Sequence, residues 1–505
     1  MSTDNANLYA RFRARFPADL NSPLVTTPEG RSWSYADAER ESARFAASLS
    51  GLGLKPGDRF TVQVEKSVEM LWLYLGCLRA GLVFHPLNTA YSAAELDYFL
   101  TNAEPGLVVC RPRDEALMNE IADPVGSRVL TLGTRGEGSM MDLVSGNAAD
   151  FDCVESREDD MAALLYSSGT TGRPKGIMLS HGNLVSNAET LVDYWGFTAD
   201  DALLHALPIF HVHGLFVAIS CVLMAGASMR WLPGFKAETV IEQLPECTVM
   251  MGVPTYYTRL LDDPAFTRSA CRNMRLFISG SAPLLAETHT AFEQRTGHAI
   301  LERYGMSETG MNTSNPLDGE RRPGTVGFPL PGVEARIVDD HGKVLGDNEI
   351  GNLQVRGPNV FKGYWRMPEK TAEDIGPDGF FNTGDKATRS EDGYYSIVGR
   401  AKDMVISGGL NVYPKEVELV IDDIPGVQES AVIGVPHRDF GEAVVAVVVK
   451  SDAGIGEEQV IDAAKQQLAN FKVPKKVVFV EQLPRNTMGK VQKNQLRLAH
   501  QNLFR

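Results

Sequence analysis

Hydrophobic positions in the first four hundred residues follow two rhythms in turn. RFTVQV at 59–64 and VFHPL at 83–87 are short runs with β-branched and aromatic residues, and between them VEMLWLYLGCLRA at 68–80 repeats its apolar side chains at helical spacing. Strand, helix, strand in that order predicts layered α/β structure. From Gly332 the rhythm shortens: VEARIVDD, GNLQVRG and YYSIVGR are strand patterns separated by Gly and Asp turns, which predict a β-rich subdomain. Past Arg400 a compact α+β pattern begins, with a helix near 414–424, strands AVIGV and AVVAVVVK, a helix at 457–468 and the strand KKVVFVEQL. The domain boundary is expected at 400–403, dividing residues 1–400 from 401–505. No internal repeat or low-complexity linker interrupts the chain.

Length agrees with this division, since 505 residues exceed what one hydrophobic core organises. A formal net charge of −15 argues against a nucleic-acid surface, which needs clustered Lys and Arg, so any anionic substrate must meet locally placed cations. The six cysteines show no CxxC pair and no metal-ligand spacing, and read as reduced thiols of a cytoplasmic protein. The N-terminus carries basic residues without an apolar segment, and the longest apolar stretch, about 215–229, is too short and too interrupted to span a bilayer. Neither secretion nor membrane insertion is expected.

The strongest local signal is YSSGTTGRPKG at 166–176, a Ser/Thr/Gly segment with Arg173 and Lys175 directly after the apolar run MAALL. Small residues let backbone N–H groups approach phosphate oxygens, hydroxyls donate further bonds, and the cations neutralise charge. It is not the NTPase P-loop, which needs GxxxxGK[ST] opening a helix; here Pro174 precedes the lysine and Gly176 follows it. By itself the segment also fits a flexible surface loop. YGMSETG at 304–310 offers an aromatic face for a base, a hydroxyl, and the Glu308 carboxylate for Mg²⁺. Thr383-Gly384-Asp385 sets a carboxylate on a tight turn suited to ribose hydroxyls. GRAKD at 399–403, SGGLN at 407–411 and PRNTMGK at 484–490 complete the set. Taken singly, each also fits a buried Tyr, a capping Asp or a solvated Lys.

In order and spacing these segments, covering about two-thirds of the chain, resemble the core motifs of the ANL adenylate-forming superfamily of acyl-CoA synthetases, adenylation domains and luciferases. The resemblance implies a large N-terminal domain of two α/β subdomains plus a β-barrel-like one, and a small, mobile α+β C-terminal domain that rotates between two half-reactions. It also implies ATP, Mg²⁺ and coenzyme A as reactants. By position, Ser167, Ser168, Gly169, Thr170, Thr171, Gly172 and Lys175 would hold the β- and γ-phosphates, with Thr170 near the metal. Gly280, Ser281, Ala282 and Pro283 with Glu302, Arg303, Tyr304, Gly305 and Met306 would frame the adenine. Ser307, where the family often has Thr, would contact the α-phosphate, and Glu308 the Mg²⁺. Asp385 and Arg400 would bind the ribose. Lys490 would bridge the acyl carboxylate and α-phosphate, Lys402 would be the hinge, and Gly408 and Gly409 would line the pantetheine tunnel. By the same resemblance, acetylation of Lys490 by a lysine acetyltransferase, reversed by a deacetylase, is expected to switch the enzyme off.

Within that superfamily the chain is most similar to malonyl-CoA synthetases, judged on LPIFHVHGL (207–215) and VPTYYTRLL (253–261). The likeness implies malonate or a related short dicarboxylic acid, methylmalonate included, as substrate, with His211 gating carboxylate access and His213 facing the acyl pocket. His213 also fits a hydrogen-bonded core residue. Met306 would limit acid length. Pro254-Thr255 reads as a helix start with Thr255 a candidate cap, placing Arg259 one turn in. Periodicity alone fits an Arg259 that snorkels to solvent, but the resemblance implies that this helix borders the acyl pocket, where a dicarboxylate cannot enter with a bare second charge, so Arg259, helped by His213 or Ser279, is expected to bind the distal carboxylate. Other readings are another short-chain acyl-CoA synthetase, a stand-alone adenylation enzyme loading a carrier protein, a luciferase-like oxygenase and a non-catalytic nucleotide sensor.

Overall fold

A computed structural model describes residues 5–168, 174–281, 284, 286–400, 405–412, 414–451, 454–484 and 491–504. Its described strands fall into four sheets. The six-stranded sheet runs in the order Arg128–Thr131, Leu107–Cys110, Arg59–Gln63, Val83–Pro86, Met161–Ser168 and Pro174–Ser180, parallel except for its last pair. Strands such as Leu107–Cys110 are buried at every position, as parallel strands covered by helices on both faces must be. The nine-stranded sheet is parallel through Pro23–Thr26, Ser228–Trp231, Ala202–His205, Val249–Gly252, Leu276–Ser279 and Leu301–Met306, with antiparallel strands at its edges. The two α/β subdomains implied by the resemblance correspond to these two sheets.

Glu334–Val338, Gly351–Arg356, Phe381–Arg389 and Tyr395–Arg400 form a four-stranded antiparallel meander, the β-rich subdomain expected from Gly332 onward. It is tied to the first sheet by a cap: Ser180 and Asn183 close a capping box on the helix His181–Tyr194, and the Asn183 amide donates to the carbonyls of Pro358 and Val360 at 2.7 and 2.8 Å. Past residue 405 the chain builds its own sheet, in which Val427–His437 and Gly441–Lys450 pair antiparallel and Lys476–Val480 adds parallel to the latter. The expected hinge residue Lys402 lies outside the described residues. No helix among the described residues is long and apolar enough to cross a membrane.

The apolar stretch after His211 folds unusually. His213–Ile219 is a π-helix, buried throughout, followed by the α-helix Ser220–Ala225. The helix that carries Arg259, Pro254–Asp262, starts on Pro254 with extended Val253 before it and no side-chain cap, so Thr255 lies inside the helix rather than capping it.

Candidate active site

The two sheets bring their strand ends to one cleft. In the hairpin of the first sheet, Tyr166 pairs with Gly176 and Ser167 with Lys175. Of the expected phosphate-binding residues, 169–172 and the side chains of Ser167 and Ser168 lie outside the described part of the structure, as do Ala282, Pro283, Lys490 and the Arg400 side chain. Lys175 is described: its nearly buried ammonium sits 3.7 Å from Asp374 and 4.0 Å from the centre of the Tyr364 ring. Burial pulls its pKa down, and the charges of Glu308 and Asp374 work against that pull. Glu308 is buried and accepts a hydrogen bond from the Tyr364 hydroxyl at 3.4 Å. A cation and a carboxylate thus stand side by side below the hairpin. Neither Asp374 nor Tyr364 carries a motif signature.

Leu301–Met306 alternates its faces, as a strand must. Tyr304 donates its hydroxyl to the buried Asp385 carboxylate at 2.5 Å, joining two expected nucleotide contacts, and the strand register sets Asp385 opposite Arg400. Met306 lies beside Tyr304, its sulfur 3.9 Å from the same hydroxyl. Glu302 is buried and accepts from the Gly324 N–H at 3.2 Å; burial raises its carboxyl to about 8.

Arg303 points the other way. It is 4% exposed, its guanidinium lies against the Gly280 backbone, and its Nε and Nη2 have no hydrogen-bond partner among the described residues. Burial lowers it to about 9. Of the residues expected at the adenine, Arg303 thus lies against Gly280, and its charge acts on His211 and His213. His213 is buried, with Nδ1 3.2 Å from the Ser281 hydroxyl and Nε2 unpartnered, and the buried Ser279 hydroxyl also lacks a partner. The backbone N–H of His213 donates to Nδ1 of His211 at 3.4 Å. Burial, then the nearby Arg303 charge, hold both imidazoles neutral, His211 down to about 4. Ser281 adopts a left-handed φ of 69° that presents its hydroxyl here. Among the described residues the unpartnered Arg303 nitrogens and Ser279 hydroxyl, beside the unpartnered Nε2 of His213, have the chemistry that suits an anion.

Arg259 is not part of that cluster. Its helix turns Tyr257 and Leu260 inward and leaves Arg259 on the exposed face, without an ion pair among the described residues. Arg259, expected to bind the distal carboxylate, thus lies on the exposed face of its helix and apart from the buried Arg303 group. An unforeseen lysine braces the site instead. Lys66 donates to the carbonyls of His205 and Leu207 at 2.8 and 3.0 Å, 4.3 Å from the centre of the Trp231 ring, and His205 in turn bonds the Gly214 carbonyl at 2.9 Å. This pins both ends of the segment that carries His211 and His213.

A cavity opens beside Ser307 and His211, walled also by Tyr166 and Asn88 and, from the C-terminal part, by Leu410 and Lys472. Leu410 follows a two-residue hairpin turn whose Gly408 and Gly409 both have positive φ, 59° and 79°. A methyl on Gly409 would lie 3.1 Å from Val253, so glycine is needed for both conformation and approach. Among the described residues no group of three or more His, Cys, Asp or Glu is arranged to hold a metal ion.

Residues 12–365 match the model of the AMP-binding enzyme family, and 416–490 match that of the AMP-binding enzyme C-terminal domain. The mitochondrial malonate–CoA ligase of Bos taurus is 38% identical, over 95% of this chain and 89% of its own. ATP-bound MatB from Rhodopseudomonas palustris superposes with a TM-score of 0.79 at 55% identity, over 99% of this chain and 100% of its own. A malonyl-CoA ligase in a ternary product complex with methylmalonyl-CoA and AMP gives 0.82 at 34% identity, over 94% and 100%. With both modules matched in order along the chain, this chain belongs to the AMP-binding enzyme family.

Proposed function

We propose that the chain is a malonyl-CoA synthetase. It joins malonate and ATP to malonyl-AMP and pyrophosphate, then transfers the malonyl group to CoA with release of AMP, and accepts methylmalonate as well. The carrying observation is the buried Arg303 guanidinium with two unmet donor nitrogens. A monocarboxylic acid would leave that charge unpaired, which is costly, whereas the distal carboxylate of malonate supplies a bidentate acceptor that Ser279 and His213 complete. The similarity to malonate–CoA ligases supports the same reading.

In the first half-reaction a carboxylate oxygen attacks the α-phosphorus and pyrophosphate leaves. Lys175 and residues 167–172 receive the polyphosphate, Tyr304 and Asp385 with Arg400 hold the nucleoside, and Ser307 meets the α-phosphate. Glu308 offers one buried carboxylate, which fits Mg²⁺ arriving on the nucleotide with phosphate and water as its other ligands; bound there, it would neutralise phosphate charge. Two anions meet in this step, so positive charge at the reacting centre governs it. Lys490 brings that charge from residues 401–505, which act as a mobile lid. In the second half-reaction the CoA sulfur attacks the acyl carbon, the thiol gives up its proton and AMP leaves. Lys402 is the hinge between the two arrangements, and the hairpin of Gly408 and Gly409 lines the thiol's path. Acetylation of Lys490 would remove the first-step charge.

Exchange of labelled pyrophosphate into ATP, across a panel of mono- and dicarboxylic acids, tests this. Malonate and methylmalonate are expected to support exchange, Lys490→Ala to abolish it, and free CoA to turn AMP release into steady turnover. Equal exchange with propionate and malonate would overturn the dicarboxylate reading, and a requirement for a carrier protein would overturn the CoA reading.

A further inference from the structure

Three charged side chains from two distant parts of the chain meet beside the cavity. Lys472, whose side chain is 3% exposed, sets its ammonium 2.6 Å from Glu95 and 2.7 Å from Glu416. The ring of Tyr91 lies 5.0 Å away. Glu416 starts a helix in the same C-terminal unit as Lys472, whereas Glu95 sits in the first turn of Ala93–Ala103 in the large domain. Glu95 is held before Lys472 arrives: its second oxygen accepts from the Ser92 N–H at 2.9 Å in a capping box. The Ser92 hydroxyl in turn lies 2.7 Å from the Gln467 carbonyl of the C-terminal unit.

Glu416 accompanies Lys472 wherever the C-terminal unit goes, but Glu95 meets it only in the arrangement described here. That arrangement also seats Gly409 on Val253 and brings Leu410 and Lys472 to the cavity wall beside His211 and Ser307. A second ion pair across the same boundary, Arg438 with Asp262 at 3.1 Å, is 80% and 59% exposed and holds little. Among the described residues the Glu95–Lys472 pair is the buried ion pair across this boundary, and water screens it less than the exposed one.

We propose that Glu95 and Lys472 are a positioning pair that holds the C-terminal unit in the orientation of the thioester-forming step, so that the pair sets the rate of the second half-reaction and not of the first. This rests on the two-step reading above. Rotation toward adenylation breaks the Glu95 bond and leaves Lys472 on Glu416, so the ammonium is accompanied in both states while only one state has the cross-domain bond.

The test compares Glu95→Gln, Glu416→Gln and Lys472→Met in the full chain. Glutamine at 95 keeps an acceptor for the cap and removes the charge. Malonate-dependent pyrophosphate exchange reads the first step without CoA, and malonyl-CoA formation reads the pair of steps. Glu95→Gln is expected to leave exchange within about twofold of the parent while malonyl-CoA formation falls about tenfold or more, on the scale of a lost buried charge contact. Glu416→Gln, which spares the cross-domain bond, is expected to lose much less. Lys472→Met sets two carboxylates against each other and is expected to lose the most. Equal losses in both assays, or a Glu416→Gln defect as large as that of Glu95→Gln, would make the triad a structural element and overturn the proposal. Absence of exchange in the parent chain would instead overturn the functional reading.

Discussion

The Arg303 guanidinium lies on the bare backbone of Gly280: a methyl group built on that glycine would sit 2.3 Å from Cζ and 2.4 Å from Nη1. Gly280→Ala must therefore move Arg303, and Arg303→Met removes its charge outright. Each is expected to cost malonate about 2–5 kcal/mol in kcat/KM, the scale of an unpaired buried charge, and to cost propionate less. Kinetics on the two acids side by side check this; equal losses would place Arg303 among the structural residues.

Asp374 and the Tyr364 ring hold Lys175 when no phosphate is present. Asp374 then opposes an incoming polyphosphate. Removing its charge with Asp374→Asn is expected to lower the KM for ATP about three- to tenfold, by relieving like-charge repulsion at short range. Initial rates of exchange at saturating malonate measure it. A raised KM would mean that Asp374 orients Lys175 instead of competing for it.

Lys66 serves two carbonyls and a histidine at the root of the His211 segment. Lys66→Met keeps the length and leaves those acceptors unmet, at an expected cost of about 1–3 kcal/mol in denaturant unfolding. The KM for the acid should rise more than that for ATP, because the braced segment lies on the acyl side. A parallel rise in both would assign Lys66 to general stability.

His181 is buried and accepts the Leu8 N–H at Nδ1, 3.0 Å away, and burial lowers its pKa from 6.5 to about 4. Between those values the unfolded chain binds the proton that the folded chain refuses. Stability therefore falls as the pH drops through this window, by about 2 kcal/mol between pH 7 and 5 from this group. His85, lowered by burial to about 3, adds with the same sign. Unfolding free energies of the parent and of His181→Asn at both pH values check this: the variant is expected to lose less on acidification. An identical loss would show that His181 does not titrate in this range.

The parallel strands were readable because each is a short buried run bounded by turns, as at 59–64 and 83–87. The nucleotide motifs were legible as a set because phosphate and ribose chemistry demands particular side chains at close spacing, and of their members Tyr304 and Asp385 meet. The acyl side was not. PTYYTRLL names Arg259 plainly, but only helix phase reveals that it faces outward, while Arg303 sits between Glu302 and Tyr304 with nothing local to mark it as buried. Its one trace in the sequence is Gly280, a position kept bare. The bond from Lys472 to Glu95 spans 377 positions, and no periodicity carries such a distance. HGLFVAI at 213–219 is buried at every position, so its rhythm could not distinguish one helix type from another.

That wide helix, His213–Ile219, carries one residue of slack. A chain that loses a residue there can rewind into ordinary α-helix and keep its neighbours in register, whereas the same loss within Ser220–Ala225 would turn the buried face outward. Deleting Ala218 is accordingly expected to leave the thermal transition cooperative while changing which acids support pyrophosphate exchange, and collapse of the transition would refute it. The segment behind the two histidines can then change length in single steps while the sheet beneath stays fixed, which gives this architecture a way to trade one small acid for another.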